Sequence, residues 1–323
     1  MIKDGDKLEP LIPFEPLSTP SIPSGEPWIA QVKWDGVRML TYYDGTEVSL
    51  FNRKLHERTA QYPELQDIKS YCRANNVILD GELVALENGL PAFHQIMRRD
   101  GLRRLDGLAA AMRAVPVTYM VFDILYCNGA WVTDRPLALR QQLLSEMILP
   151  KEGVQIVQSF AQTEELYHVI EERGIEGIVC KDLTSAYTVG GKDKRWLKVK
   201  NYQDLIATVG GVTLRGKTVN ALLLGLYDEK GHFIYIGHAG TGKLTRKDWT
   251  QFTDAIAPLL VKDRPFLNIP ERSKDALWLK PVFTVKIKYI EWTHHITLRQ
   301  PSIQAFVATD PKESTFRLAG VSR

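Results

Sequence analysis

Three cysteines in 323 residues, at Cys72, Cys127 and Cys180, are too few and too scattered to staple a fold. Their number is odd and their neighbours are apolar, so buried free thiols in a reducing compartment suit them better than disulfides or zinc. The seven histidines show no metal-ligand spacing. No apolar run is long enough to span a bilayer, and the opening Met1-Ile-Lys-Asp-Gly-Asp6 lacks the apolar stretch of a secretion signal. These absences predict a cytoplasmic protein that keeps away from membranes. Nor does either charge dominate: 41 Lys and Arg face 38 Asp and Glu, a formal net charge of +3. A surface for a polyanion must then be local rather than global. No repeat, low-complexity tract or coiled-coil heptad is evident, which makes a monomer the expectation.

What is present reads as a globular chain of one large or two ordinary domains. Prolines at 10, 13, 16, 20, 23 and 27 forbid a helix or central strand in the first 27 residues, which should wrap a surface. Strands are predicted at 28–32, 37–43 and 48–51, with Asp44-Gly45 as a hairpin turn. A helix is expected over 63–72, with Leu65, Ile68 and Cys72 on one face. A strand at 77–86 carries Asp80-Gly81-Glu82 in its middle. Phe93, Ile96 and Met97 suggest a short helix running into Arg98, Arg99, Arg103 and Arg104. A strong strand at 117–126 is interrupted by Asp123. The next helix should turn Leu139, Leu143 and Met147 inward. Another should run from an N-cap at Thr163, with Glu164 and Glu165 in its first turn, to Gly174. Strands at 175–180 and 196–199 follow, and period-2 alternation puts Lys198 and Lys200 on one side.

Beyond Asp204 short strands (205–214, 219–227, 233–237) surround one helix bearing Trp249, Phe252, Ile256 and Leu259. Val285, Ile287 and Tyr289 then alternate with Lys286 and Lys288. This pattern suits a small Greek-key barrel of the oligonucleotide-binding (OB) type, with a β-sandwich extension as the alternative.

The chemistry concentrates in charges set inside apolar strands. Gln31-Val-Lys-Trp-Asp-Gly-Val-Arg38 has the spacing Lys-x-Asp-Gly-x-Arg between two strand-like runs. It reads either as a hairpin turn with surface charges or as part of a site. Glu82, Asp123, Glu176, Lys198 and Lys200 sit likewise within or beside strands. Singly, such a residue is more often a satisfied ion or a solvated face. Together they place cations and carboxylates around one cleft between two sheets, where burial for stability alone would be wasteful. A phosphate ester with a divalent cation would account for both signs.

The ordered series Lys33-Trp-Asp-Gly-Val-Arg38, Phe51-Asn-Arg-Lys54, Leu79-Asp-Gly-Glu-Leu83, Val121-Phe-Asp-Ile124, Glu176-Gly-Ile-Val-Cys-Lys181 and Trp196-Leu-Lys-Val-Lys200 resembles the nucleotidyltransferase motifs of ATP-dependent DNA ligases. Trp278-Leu-Lys-Pro-Val-Phe, Glu291-Trp292 and Leu298-Arg-Gln-Pro301 resemble the barrel domain of the bacterial end-joining type. The resemblance covers nearly the whole chain. It implies an α+β nucleotidyltransferase (adenylation) domain of antiparallel sheets with flanking helices over 1–203, and an all-β OB-fold domain with one helix over 204–323.

By the same resemblance, Lys33 attacks the α-phosphate of ATP while Lys198 and Lys200 hold that phosphate. Gln31 and Val32 lie at the nucleotide, Phe122 stacks on adenine and Glu82 meets the ribose. Arg38, Arg53 and Arg135 contact the nucleotide or the DNA end. Glu176 and Glu82, with Asp35 nearby, support Mg2+ or Mn2+. Arg53, Lys54, Arg98 and Arg99 grip DNA. The implied activity seals 5′-phosphate/3′-hydroxyl nicks in DNA repair through lysyl-AMP and adenylated DNA. Nicked duplex DNA is the partner, with a Ku-type end-binding protein beside it, and basic patches on both domains close on the duplex.

Two departures stand out. Gln31 occupies a position where the family usually has glutamate, and an amide can donate as well as accept. The final basic motif is altered: Arg299 remains, but Ser302 to Asp310 carries no cation, leaving Lys312 or Arg317 as displaced substitutes. Gln31 keeps an RNA ligase or a capping guanylyltransferase open. The altered motif is the only support for a catalytically idle nucleic-acid-binding relative.

Overall fold

Alternating apolar residues between Trp28 and Lys200 build two sheets rather than one. The computed structural model describes residues 8–149, 151–271 and 273–320, and the chain divides into two units between Asn201 and Tyr202. The opening Met1–Asp6 stretch lies outside the described residues. In the first unit a six-stranded sheet runs Val154–Ile156, Thr118–Cys127, Val77–Val84, Val37–Tyr43, Val48–Asn52, with Ala130–Trp131 added beside Thr118–Cys127. A four-stranded sheet runs Leu17–Ser18, Trp196–Lys200, Gly177–Asp182, Trp28–Val32. Pairing is mostly antiparallel, with parallel edges at Val154–Ile156 and Leu17–Ser18.

One face of the larger sheet buries Met39, Leu79, Leu83, Val121 and Ile124 against Tyr62, Leu65, Ile68, Ile96 and Leu144. The other face carries Leu40, Tyr42, Ile78 and Leu125, and meets Trp196 and Val179 of the smaller sheet. The proline-rich segment was expected to wrap a surface. Instead Leu8, Leu11 and Phe14 insert into this apolar cluster, at roughly 1.5–3 kcal/mol for each buried side chain. That gain offsets the ordering of a segment with almost no secondary structure.

Asp44-Gly45 does turn a hairpin: Asp44 accepts from the backbone N–H groups of Thr46 and Glu47 at 2.7 and 2.8 Å, and Tyr43 pairs with Val48. Asp35-Gly36 does not. Trp28–Val32 and Val37–Tyr43 belong to different sheets, so this bend carries the chain across the cleft. A Cβ at Gly36 would lie 2.0 Å from the Leu83 carbonyl oxygen, so only glycine lets the chain enter the second sheet so tightly.

Three helical expectations need correction. Residues 59–70 form three 3-10 turns, not one helix, because Tyr62 and Asp67 take non-helical backbone angles and interrupt the ladder. Leu65, Ile68 and Cys72 are still buried. The helix Leu137–Met147 turns Leu137, Arg140 and Leu144 inward, packs Leu143 and Met147 against the same core as expected, and leaves only Leu139 of the expected three exposed, at 51%. Arg140 takes the inner stripe because it bonds the fully buried Asp123 carboxylate at 2.8 and 2.9 Å. Thr163 opens the helix Thr163–Glu172 without capping it, since its hydroxyl donates to the Pro23 carbonyl at 2.7 Å.

The second unit is an antiparallel sheet in the order Phe233–Ala239, Thr218–Tyr227, Gln203–Arg215, Leu277–Tyr289, with Leu260–Val261 and Ser302–Val307 on the last strand. Its ends meet: Leu298 N–H donates to Ile236 O at 2.7 Å, and Ile303 N–H to Thr241 O at 2.8 Å. This closure makes a barrel rather than a sandwich. The helix Arg246–Ala255 starts with a reciprocal Thr245/Asp248 capping box and packs Phe252 into the core. Val285, Ile287 and Tyr289 are buried while Lys286 faces out and pairs with Asp204 at 2.9 Å. Among the described residues no helix is long and apolar enough to cross a membrane.

Candidate active site

Strand alternation decides which side chains of the smaller sheet face the cleft. Ala30, Ile178, Cys180 and Val199 turn toward Leu166 and Ile170 of the Thr163–Glu172 helix. Their neighbours in sequence, including Gln31, Val179, Lys181 and Lys198, therefore point the other way. Lys33 follows directly after the Trp28–Val32 strand and its N–H donates to Gly177 O at 2.9 Å. Gly177 has φ +147°, and a Cβ there would lie 2.1 Å from Val199 O. Glycine thus lets two strands close at the point where Glu176 meets the lysines.

Glu176 sits between two cations. One carboxylate oxygen is ion-paired with Lys33 Nζ, and the other lies 3.1 Å from Lys200 Nζ. Burial alone would raise the Glu176 pKa, but the two lysines outweigh it and hold the carboxyl below its usual range. Partial burial, with Lys200 and Lys33 nearby, lowers the Lys198 amine. On the larger sheet Glu82 pairs in register with Arg38. Burial pushes Glu82 up to about 7, against the pull of Arg38 and Lys33 and with the repulsion of Asp35 and Glu176. Three carboxylates thus share the field around Lys33.

These donors suit a hard cation. Mg2+ is commonly held by one or two carboxylates together with waters and substrate phosphates. Glu82 and Glu176 are such a pair, and among the described residues no group of three or more acids, cysteines or histidines forms a closed protein cage.

Phe122 enters the cleft through a β-bulge. Gly81 pairs with Val121 and Asp80 with Asp123, so Phe122 is an extra residue in its strand. Arg38 and Lys181 lie 4.5 and 4.3 Å from its ring centroid. Lys181 Nζ is also 4.0 Å from the Trp196 ring centroid and, although buried, has no hydrogen-bond partner among the described residues. Burial pushes its amine down to about 7, against the attraction of Asp123 and with the help of Arg38. Sequence reading gave Lys181 no role. The available signal was its position two residues after Val179, which alternation puts on the same face.

Other expected site residues fall less simply. Arg38 reaches the cleft, but Asp80 binds its Nε and Nη2 at 2.5 and 2.6 Å, and Phe14 O accepts from Nη2 at 3.3 Å. Tyr187 completes the arrangement by donating to Asp80 at 2.8 Å. The Val32 side chain packs in the apolar layer under the smaller sheet, away from the cleft, so only its backbone is available. Arg53 is exposed and pairs with Glu15 at 3.2 Å, and Glu15 also holds Lys192 at 3.4 Å. Arg135 is exposed, and its positive charge acts on the Cys127 thiol.

Lys54 and Arg98 are exposed, as a DNA contact requires. Arg99 is not: it is 1% exposed and bonds both Glu64 oxygens at 2.9 Å and Gln61 O at 2.8 Å. It is a core cation and, unlike Arg98, offers DNA no accessible charge. In the barrel Arg299 bonds Glu291 at 2.9 Å, while Lys312 and Arg317 are exposed.

Residues 20–200 match the family model described as the ATP dependent DNA ligase domain, and residues 215–307 the ATP dependent DNA ligase C terminal region. The DNA ligase of Thermococcus fumicolans is 31% identical over 247 residues, covering 72% of this chain and 44% of that protein. The multifunctional non-homologous end joining DNA repair protein LigD of Mycobacterium tuberculosis (strain ATCC 25618 / H37Rv) is 29% identical over 293 residues, covering 85% of this chain and 35% of that protein. The chain thus spans less than half the length of these curated relatives. The solved structure of mycobacterial DNA ligase D complexed with ATP and MES has 26% identity and a TM-score of 0.52, covering 94% of this chain and 98% of that one. With one family model matched across the two-sheet unit and a second across most of the barrel, the chain belongs to the ATP-dependent DNA ligase family.

Proposed function

We propose that this chain is an ATP-dependent DNA ligase that seals 5′-phosphate/3′-hydroxyl nicks in duplex DNA during repair. The observation that carries this reading is the Lys33–Glu176–Lys200 cluster in a cleft that also holds Lys198, Glu82 and Phe122. Residues 1–203 are assigned to adenylation and 204–323 to the OB-fold domain, working in the cytoplasm as a monomer. Beside the end-joining relative, a Ku-type end-binding protein is the natural partner to test.

Lys33 is the nucleophile. Its Nζ attacks the α-phosphorus of ATP, the bond to the β-phosphate bridging oxygen breaks, and pyrophosphate leaves with the electron pair. Glu176 fixes the direction of Nζ, which attacks as the neutral amine. Lys198 and Lys200 supply positive charge where negative charge gathers on the transferring phosphoryl group. In this reading Glu82 meets the ribose hydroxyls and Phe122 the base. A Mg2+ or Mn2+ ion held by Glu176 and Glu82 would neutralise phosphate charge and compete with the lysines for Glu176. The 5′-phosphate of the nick then attacks lysyl-AMP and releases Lys33, after which the 3′-hydroxyl attacks the adenylated end and expels AMP.

The test uses a duplex with one 5′-phosphorylated nick, as DNA or as RNA, with ATP and Mg2+. Sealing of the DNA nick by the wild-type chain, and none by Lys33→Ala, supports the reading. Sealing confined to RNA, or covalent labelling by GTP alone, would overturn it in favour of an RNA ligase or a capping enzyme.

A further inference from the structure

Gln31 raises a problem that a glutamate would not. A carboxylate presents an acceptor whichever way it turns, whereas an amide turned over presents a donor. Selectivity for a base through Gln31 therefore depends on what fixes the amide.

The Gln31 side chain is buried, with the residue only 2% exposed. Its Nε2 donates to Ser159 Oγ at 3.1 Å and reaches Val157 O at 3.5 Å. A backbone carbonyl can only accept, so the group facing Val157 must be the NH2. Ser159 Oγ in turn donates to Gln141 Oε1 at 3.1 Å, which directs the hydroxyl proton away from Gln31 and leaves a lone pair for its Nε2. Turning the amide over would bring Oε1 against the Val157 carbonyl and against the lone pairs of Ser159. The observed orientation commits Nε2 to these two partners and leaves Oε1 as the amide's acceptor.

Gln31 itself lines a cavity of about 180 Å³, together with Phe122, Gln141, Leu144, Val157 and Ser159, among others. Sites for drug-sized ligands run to roughly 300–1,000 Å³, so this one suits a base-sized fragment, with the sugar and phosphates left in the open cleft. We propose that Ser159 and Gln141 are positioning residues that hold the Gln31 amide with its oxygen toward the bound base, selecting a 6-amino purine over a 6-oxo purine. The proposal rests on the reading that the nucleotide places its base at Phe122. The 6-amino group of adenine donates to Gln31 Oε1, whereas a 6-oxo group would set acceptor against acceptor.

The experiment measures covalent nucleotide transfer to the full chain with Mg2+ and either ATP or inosine triphosphate, which carries oxygen at position 6. A neutral hydrogen bond contributes about a factor of ten in selectivity. Gln141→Leu and Ser159→Ala should each lower the ATP preference about tenfold. Gln141→Glu, which keeps an accepting oxygen for Ser159, should restore the wild-type ratio. In a Gln31→Glu background, with no amide to orient, Gln141→Leu should leave the ratio where Gln31→Glu alone puts it. An unchanged ratio in both Gln141→Leu and Ser159→Ala, with ATP transfer persisting, overturns the proposal. So does a Gln141→Glu ratio as low as that of Gln141→Leu, which would show packing alone. No transfer to the wild-type chain from ATP would instead bring down the ligase reading itself.

Discussion

Replacing Lys181 by methionine removes a buried amine that has no hydrogen-bond partner among the described residues and leaves a chain of similar length between the Phe122 and Trp196 rings. Burial pushes that amine to about 7 from an ordinary 10.5. Below pH 7 it is charged in both folded and unfolded chains, so the fold bears the whole desolvation penalty. Above pH 7 the folded protein gives up the proton while the unfolded chain keeps it until about pH 10.5. Stability contributed by this group therefore rises with pH, by about 1.4 kcal/mol per pH unit. Between pH 7 and about 9.5 the stability of wild type minus that of Lys181→Met should climb by roughly 3 kcal/mol. Urea unfolding of both proteins, followed by circular dichroism from pH 6 to 9.5, reads this directly, and other titrating groups largely cancel in the difference. A difference that stays level would refute the argument, because it would mean that Lys181 titrates alike in both states.

Arg99→Ala should lower stability by about 3–5 kcal/mol, because it leaves the Glu64 partner and buried carbonyls unsatisfied, with no change in the salt dependence of DNA binding. Arg98→Ala should do the reverse: an unaltered melting temperature, and a salt slope reduced by about 0.9 if it meets one phosphate. Gly177→Ala should abolish nucleotide transfer and lower the melting temperature, since its Cβ would lie 2.1 Å from Val199 O. Chelation with EDTA should stop nucleotide transfer, and added Mg2+ or Mn2+ should restore it, as measured with α-labelled ATP.

Local pattern made the cleft legible where facing follows from alternation. Lys198 and Lys200 could be assigned to one side from Trp196-Leu-Lys-Val-Lys200 alone, and the barrel strand from Val285, Ile287 and Tyr289. What stayed hidden depends on partners distant in sequence. The bend at Asp35-Gly36 reads as a hairpin until the strands on either side are seen in different sheets. Arg99 looks like part of an exposed basic run because nothing local signals Glu64, 35 residues earlier. The centre of the inward stripe of the Leu137–Met147 helix is hidden because pattern discounts a charged residue as core, yet Arg140 has Asp123 waiting on a neighbouring strand, while Leu143 and Met147 pack as the pattern says. Lys181 was missed for a related reason. Its ring partners Phe122 and Trp196 come from two different sheets, and the bulge that turns Phe122 inward has no sequence signature.

The central claim concerns one nitrogen atom. Wild-type protein incubated with ATP and Mg2+, then analysed by intact-mass and peptide-mapping mass spectrometry, should carry a single AMP in phosphoramidate linkage on Lys33, released by added pyrophosphate. Lys33→Ala should carry none. An adduct on Lys198, Lys200 or Lys181, or one that persists in Lys33→Ala, would contradict the account.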